Sequence, residues 1–166
     1  MFAERARGFA ALATALALAV GMSACARNAA ENAPGAGYAA AGPGSVQEFN
    51  QTVGDRVFFD TDQTDLTAIA QATLDKQAAW LNQYNHYAFT IEGHADERGT
   101  REYNFALGSR RAQTVHDYLA AKGVSASRMK MISYGKERPV AVCDDISCWS
   151  QNRRAVTVLS GAPGSS

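Results

Sequence analysis

The 166-residue sequence has no surplus of either charge, with 16 Lys and Arg against 16 Asp and Glu. The electrostatic footprint of a nucleic-acid binder is therefore missing, and no nucleic-acid partner is expected. No apolar run reaches the ~20 residues of a membrane-spanning helix. The longest, residues 9–20, is about a dozen long and stands near the start. Histidine is scarce: His86, His94 and His116 lie 8 and 22 residues apart, with no second His or Cys at ligand spacing. His94 with Asp96 and Glu97 forms a small polar group but lacks the second pair that a metal site requires. Neither a Cys–His nucleophile nor a pair of carboxylates arranged around a scissile bond is legible. No enzyme activity, metal or cofactor is expected. There is no internal repeat.

What is present begins at the N-terminus. Arg5 and Arg7, partly offset by Glu4, precede the apolar run, and small residues follow it. This is the layout of a signal peptide. Met22-Ser23-Ala24-Cys25 resembles a lipobox, with Met where Leu is usual, so residues 1–24 are expected to be a lipoprotein leader and Cys25 the lipidated residue. An ordinary signal peptide cut near Ala24, with an incidental cysteine, is the competing reading. Ala26 stands where Asp would mark retention in the inner membrane, which points to the periplasmic face of the outer membrane. Removing residues 1–24 takes away Arg5, Arg7 and Glu4 and leaves 14 basic and 15 acidic side chains. Residues 25–45 are mostly Ala, Gly, Asn and Pro and read as a flexible tether, spanning roughly 25 Å as a coil and up to roughly 70 Å when pulled straight. Residues 46–166 suffice for one domain with one core. Cys143 and Cys148 enclose four residues in a loop; in an oxidising periplasm they are expected to form one local disulfide.

Periodicity predicts the elements of the domain. Residues 56–59 read as a strand and residues 62–65 as a polar turn. Asp65 is placed to cap a first helix in which Leu66, Ile69, Thr73, Leu74, Gln77 and Leu81 recur at helical spacing. Residues 87–92 read as a central strand and 93–99 as a loop. Thr100 is placed to cap a second helix, with Glu102 in its first turn and Gly123 as its C-terminal stop. Strands at 130–134 and 155–159 follow, with a helical turn near 149–152 between them. The order β-α-β-α-β-β implies an α/β sandwich, an α+β layer arrangement of two long helices on one face of a mixed sheet of about four strands.

Within the second helix, Leu107, Arg111, Val115 and Leu119 make an i, i+4 ladder. A guanidinium in an apolar stripe is costly unless it is paired or faces a ligand. An arginine reaching to solvent or to a nearby carboxylate would also satisfy the pattern. Arg110 falls off the stripe and reads as a surface charge. Asp96 closes the central strand, where open sheets place ligand contacts, although Asp is also common in turns for local hydrogen bonds.

The run Gly93-His94-Ala95-Asp96-Glu97-Arg98-Gly99-Thr100, followed by Tyr103-Asn104 and Leu107-Gly108-Ser109-Arg110-Arg111-Ala112, resembles the peptidoglycan-binding signature of the OmpA-like domain family. So do Gly123-Val124-Ser125, the stretch from Ser133 to Pro139, and Asn152-Arg153-Arg154-Ala155; the likeness covers roughly residues 53–159. The resemblance implies the α/β sandwich, and a site for meso-diaminopimelate of the peptidoglycan stem peptide, a ligand with an ammonium and a carboxylate on one carbon. It implies that Asp96 takes the ammonium, that Arg111 forks onto the carboxylate, and that Asp62 reaches the peptide. Thr61 stands where some relatives carry a bulky apolar residue. Asn104 matches a residue that helps hold the pocket, and Arg154 one that braces the loops or touches the ligand's edge. The wording is nearest to the lipoprotein branch of the family, which tethers the outer membrane to peptidoglycan and works with Tol proteins, TolB and also TolA, in envelope integrity and division. A wall-binding lipoprotein outside the Tol system is the alternative. A flagellar-stator protein shares the domain but needs a full transmembrane helix, which residues 1–24 do not supply.

Overall fold

The computed structural model describes residues 42–160. The expected leader, Cys25 and the tether as far as residue 41 lie outside the described residues. Among the described residues no helix is long and apolar enough to cross a membrane.

The domain opens with a helical stretch that periodicity did not reveal. α1 (Val46–Glu48) is capped by Ser45, whose hydroxyl accepts from the Glu48 N–H at 3.1 Å, and runs on into a π-helical turn, Phe49–Gly54. Its single large buried side chain, Phe49, packs on Trp80 with ring centroids 4.9 Å apart. One anchor in nine residues gives no readable period. Glu48 fixes the segment further, accepting from the Gly44 N–H at 2.6 Å and the Trp80 indole N–H at 2.8 Å.

β1 (Arg56–Phe58) leads through a turn to α2 (Ala68–Gln83), then β2 (Phe89–His94), α3 (Arg101–Ala121), a 3-10 turn (Ala126–Arg128), β3 (Met129–Gly135), α4 (Ile146–Asn152) and β4 (Arg154–Leu159). The sheet order is β1-β4-β2-β3; β4 runs antiparallel to both β1 and β2, while β3 is parallel to β2. This is the α/β sandwich the sequence implied, with β2 in the sheet interior. Phe89 and Ile91 of β2, Leu74 and Leu81 of α2, and Val115 and Leu119 of α3 share one buried cluster between sheet and helices.

Several boundaries differ from the sequence reading. α2 is capped by Thr67, whose hydroxyl accepts from Ala70 N–H at 3.2 Å, and not by Asp65. Leu66 therefore precedes the helix, and Ile69, expected on its inner stripe, is 82% exposed. Gly93 and His94 belong to β2 rather than to the loop, because β3 and β4 continue to pair with that end of the strand. Thr100 does cap α3, its hydroxyl accepting from Tyr103 N–H at 3.2 Å, and Gly123 beyond its end has φ +89°.

α3 lies almost in contact with the sheet. A Cβ on Gly93 would overlap the Gly108 carbonyl, and one on Gly108 would meet the Ser133 hydroxyl. That hydroxyl donates to the Phe105 carbonyl at 2.7 Å, tying β3 to the same helix. The two glycines hold the α3 backbone against β2 one turn before Arg111, and so fix where that guanidinium emerges.

Candidate functional site

Three segments meet at the C-terminal end of β2: the β1–α2 turn, the β2–α3 loop and the residue that follows α4. Gln63 N–H donates to the Asp60 carbonyl at 3.1 Å, closing a turn in which Asp62 has φ +57°. Asp is among the few residues that tolerate this left-handed conformation. Asp62 is exposed, and its carboxylate accepts from the Tyr103 hydroxyl of α3 at 3.3 Å. Thr61, beside it, is exposed and makes no side-chain hydrogen bond among the described residues.

Asp96 is 7% exposed and heavily bonded. Arg98 donates to it three times, from its backbone N–H at 3.1 Å, Nε at 3.1 Å and Nη2 at 2.7 Å. Arg153 adds an Nη1 contact at 3.4 Å. Burial pushes the Asp96 carboxyl upward, but the Arg98 bonds, the Arg98 charge and Arg153 outweigh it and hold it below the ordinary carboxylate value. It stays ionised at neutral pH.

Arg111 is the largest side chain with no exposed surface. Its Nε donates to the Gln63 carbonyl at 3.0 Å, Nη1 to the His94 carbonyl at 2.9 Å and Nη2 to the Asp60 carbonyl at 3.1 Å. A guanidinium has five N–H groups, so two remain after these three bonds. The buried cation is thus satisfied by backbone dipoles rather than by one dedicated carboxylate. Burial, together with the Arg153 charge, pushes its pKa down to about 10, while Asp96 and Asp62 act in the opposite direction. It is charged at neutral pH and ties the β1–α2 turn to the end of β2.

The other expected residues divide between the two faces of the sheet. Asn104, buried at the start of α3, donates to the Arg98 carbonyl at 2.8 Å and braces the β2–α3 loop. Arg154 does not join Asp96. It begins β4 pointing to the opposite side from Ala155 and Thr157, and donates to the carbonyls of Asn152 at 3.4 Å and Arg138 at 3.1 Å. The arginine that reaches Asp96 is its neighbour Arg153, which also donates to the Phe59 carbonyl at 3.0 Å. The sequence showed two adjacent arginines without the strand phase that separates them. Arg98 and Tyr103 were missed as well; the Asp96–Arg98 spacing of an Asx turn was the available signal for Arg98.

His94 is 2% exposed, and neither ring nitrogen has a hydrogen-bond partner among the described residues. Burial, and then the charges of Arg154, Arg138 and Arg56, push it down to about 4, so it is neutral. No group of His, Cys, Asp and Glu able to hold a metal ion exists among the described residues. Cys143 and Cys148 are joined in a disulfide, their Cα atoms 5.7 Å apart. A cavity of about 500 Å³ has Phe59, Asp60, Ile69, Gln151 and Arg153 among its walls; it shares Arg153 with the surroundings of Asp96, but Asp62, Asp96 and Arg111 do not line it.

The face therefore sets Asp62 and Asp96 among Arg98, Arg111 and Arg153. Such an arrangement matches a small zwitterion, with carboxylates for an ammonium and N–H forks for a carboxylate.

The profile of the OmpA family matches residues 58–153. A curated relative from Agrobacterium fabrum, a peptidoglycan-associated lipoprotein, is 62% identical over 160 residues, spanning 95% of this chain and 90% of its own length. Among solved structures, the peptidoglycan-associated lipoprotein of Burkholderia pseudomallei superposes with a TM-score of 0.64 at 39% identity, covering 67% of this chain and 96% of its own. The C-terminal domain of Helicobacter pylori MotB superposes with a TM-score of 0.61 at 19% identity, covering 66% of this chain and 86% of its own, and so shares the fold.

Proposed function

Since the chain belongs to the OmpA family, and within it to the peptidoglycan-associated lipoproteins, we propose that the Asp62–Asp96–Arg111 face binds meso-diaminopimelate of the peptidoglycan stem peptide. The names of its relatives describe association with the wall, and the protein is a binding protein rather than an enzyme. The observation that carries the ligand assignment is Asp96, a buried carboxylate kept ionised between Arg98 and Arg153. A carboxylate has about four lone-pair sites, and Arg98 and Arg153 place four donors on them, so an incoming ammonium displaces the longest of these contacts, that of Arg153 at 3.4 Å. Arg111 keeps two N–H groups beyond its three carbonyl bonds for the ligand carboxylate, and its bonds to Asp60 and Gln63 hold the turn that carries Asp62. Asp62, on that turn, closes over the ammonium from the other side. The cavity beside Asp60 and Arg153 has room for the neighbouring residues of the stem peptide.

On this reading Cys25 carries the lipid and the residues after it the tether, while the wall-binding domain begins a few residues earlier than position 46, since Gly44 and Ser45 are bonded into it. The protein joins the outer membrane to peptidoglycan from the periplasmic face. A triacylated cysteine holds far more firmly than the marginal affinity of a single acyl chain. The motif wording further supports work with TolB and TolA; retention of TolB by the immobilised protein separates this from a wall-binding lipoprotein outside the Tol system.

The test is co-sedimentation of the full chain, in detergent, with isolated sacculi. The wild type pellets, and free meso-diaminopimelate releases it. Asp96→Asn and Asp62→Asn, which keep shape and remove charge, stay largely in the supernatant, each weakened by about 2–4 kcal/mol because one ligand charge is left unpaired. Wild-type protein that remains in the supernatant would sink the proposal.

A further inference from the structure

Trp149 stands 53 positions from Asp96 in sequence yet backs it in space. Its indole N–H donates to the Glu97 carboxylate at 2.9 Å, and the Arg98 guanidinium lies 4.2 Å from its ring centroid. Arg98 is the side chain that grips Asp96 most closely. Trp149 is therefore the support of a support: it stacks on the Arg98 guanidinium whose N–H edge holds the carboxylate.

Trp149 is held in turn by a short strap. α4 is seven residues long, too short to be stable by its own hydrogen bonds. Its C-terminal end is anchored by Asn152, whose side chain accepts from Val140 N–H at 2.8 Å and donates to the Ala141 carbonyl at 2.7 Å. Its N-terminal end has the Asp145 cap, accepting from Ser147 N–H at 2.7 Å, and the disulfide from Cys148 to Cys143. The strap's apolar side chains do not replace that staple: Val140, Val142 and Ile146 are 54%, 81% and 60% exposed. The disulfide is the only covalent restraint on the residue adjoining Trp149, and both its cysteines are half-buried, within reach of solvent.

We propose that Trp149 is a positioning residue for the Asp96–Arg98 pair, and that the Cys143–Cys148 disulfide keeps it in place, so that wall binding depends on the oxidation state of these cysteines. The inference rests on the wall-binding reading above. Reduction by a dithiol transfers two electrons and two protons: the S–S bond breaks, two thiols form, and the dithiol becomes a disulfide. Asn152 still holds the base of the strap, so the domain stays folded while Trp149 leaves Glu97 and Arg98. Arg98 then orients Asp96 less well, and the ligand must order what the disulfide had ordered beforehand.

The experiment compares sacculus binding by the full chain, oxidised and after reduction with dithiothreitol, with thermal melts confirming that both forms are folded. Reduction is expected to weaken binding about three- to tenfold, within the about two- to thirtyfold effect of residues that act through others. The double variant Cys143→Ser, Cys148→Ser binds like the reduced protein and ignores reductant. Trp149→Ala is equally weak in both oxidation states, whereas Trp149→Phe, which keeps a ring for Arg98, recovers part of the affinity. Binding that is unchanged or tighter after reduction overturns the proposal. So does a reduction effect in Trp149→Ala as large as in the wild type. Oxidised wild type that fails to bind sacculi overturns the wall-binding reading and this inference with it.

Discussion

A guanidinium with no exposed surface is costly unless its donors are met, and Arg111 meets three of them with carbonyls from two loops. Its removal is therefore a structural event before it is a functional one. Arg111→Ala leaves a cavity and strands the carbonyls of Asp60, Gln63 and His94, and is expected to lower stability by about 3–5 kcal/mol. Arg110→Ala, one position away on the exposed side of α3, should stay within about 0.5 kcal/mol of wild type. Urea unfolding of the two variants checks this; equal midpoints would mean that the carbonyl bonds carry no stability. Loss of wall binding in Arg111→Ala alone thus says little about ligand contact, and the exposed Asp62 is the better probe of the site.

At the scale of elements, α2 begins where a hydroxyl meets an amide. Thr67→Ala removes the cap and should cost about 1 kcal/mol, while Asp65→Ala should cost a few tenths at most. Thermal melts of the pair distinguish the observed cap from the one expected from spacing. The same contrast shows what was readable in the chain. Long periodic segments announced α2, α3 and the order of strands, because one buried face imposes a repeat. α1 and its π-helical continuation were silent, having one buried anchor, Phe49. At the site, Asp96, Asn104 and Arg111 were legible from motif and stripe. The partner of Asp96 was not: choosing between Arg153 and Arg154 requires the phase of β4 across the sheet, which two adjacent arginines do not encode. Nor could sequence reveal that Trp149 packs beneath Arg98, a contact created only by tertiary folding.

Across the whole molecule, one buried group ties stability to acidity. His94 falls from 6.5 to about 4 because burial and nearby arginines oppose its charge. Between those values the unfolded chain binds a proton that the folded chain does not. The neutral imidazole's contribution is complete above 6.5 and is lost as the pH falls toward about 4, a difference of up to about 3 kcal/mol. Unfolding free energies at neutral pH and near pH 4.5 should differ less in His94→Gln than in wild type; parallel pH profiles would rule the effect out.

The opening segment and the candidate site also occupy opposite ends of one strand. Gly44 is pinned near the start of β2, where its carbonyl accepts from the Tyr87 hydroxyl at 2.8 Å, and Asp96 lies just past the end of β2. Six residues of strand, about 20 Å, separate the two ends. On the proposed function, a pull between a lipid on Cys25 and peptidoglycan held at Asp96 is directed along β2. The ladder to antiparallel β4 lies across that line. The chain enters the sheet through β1 and the load leaves at the end of β2, so it crosses the β1–β4–β2 ladders along the strands and loads their bonds together instead of one by one.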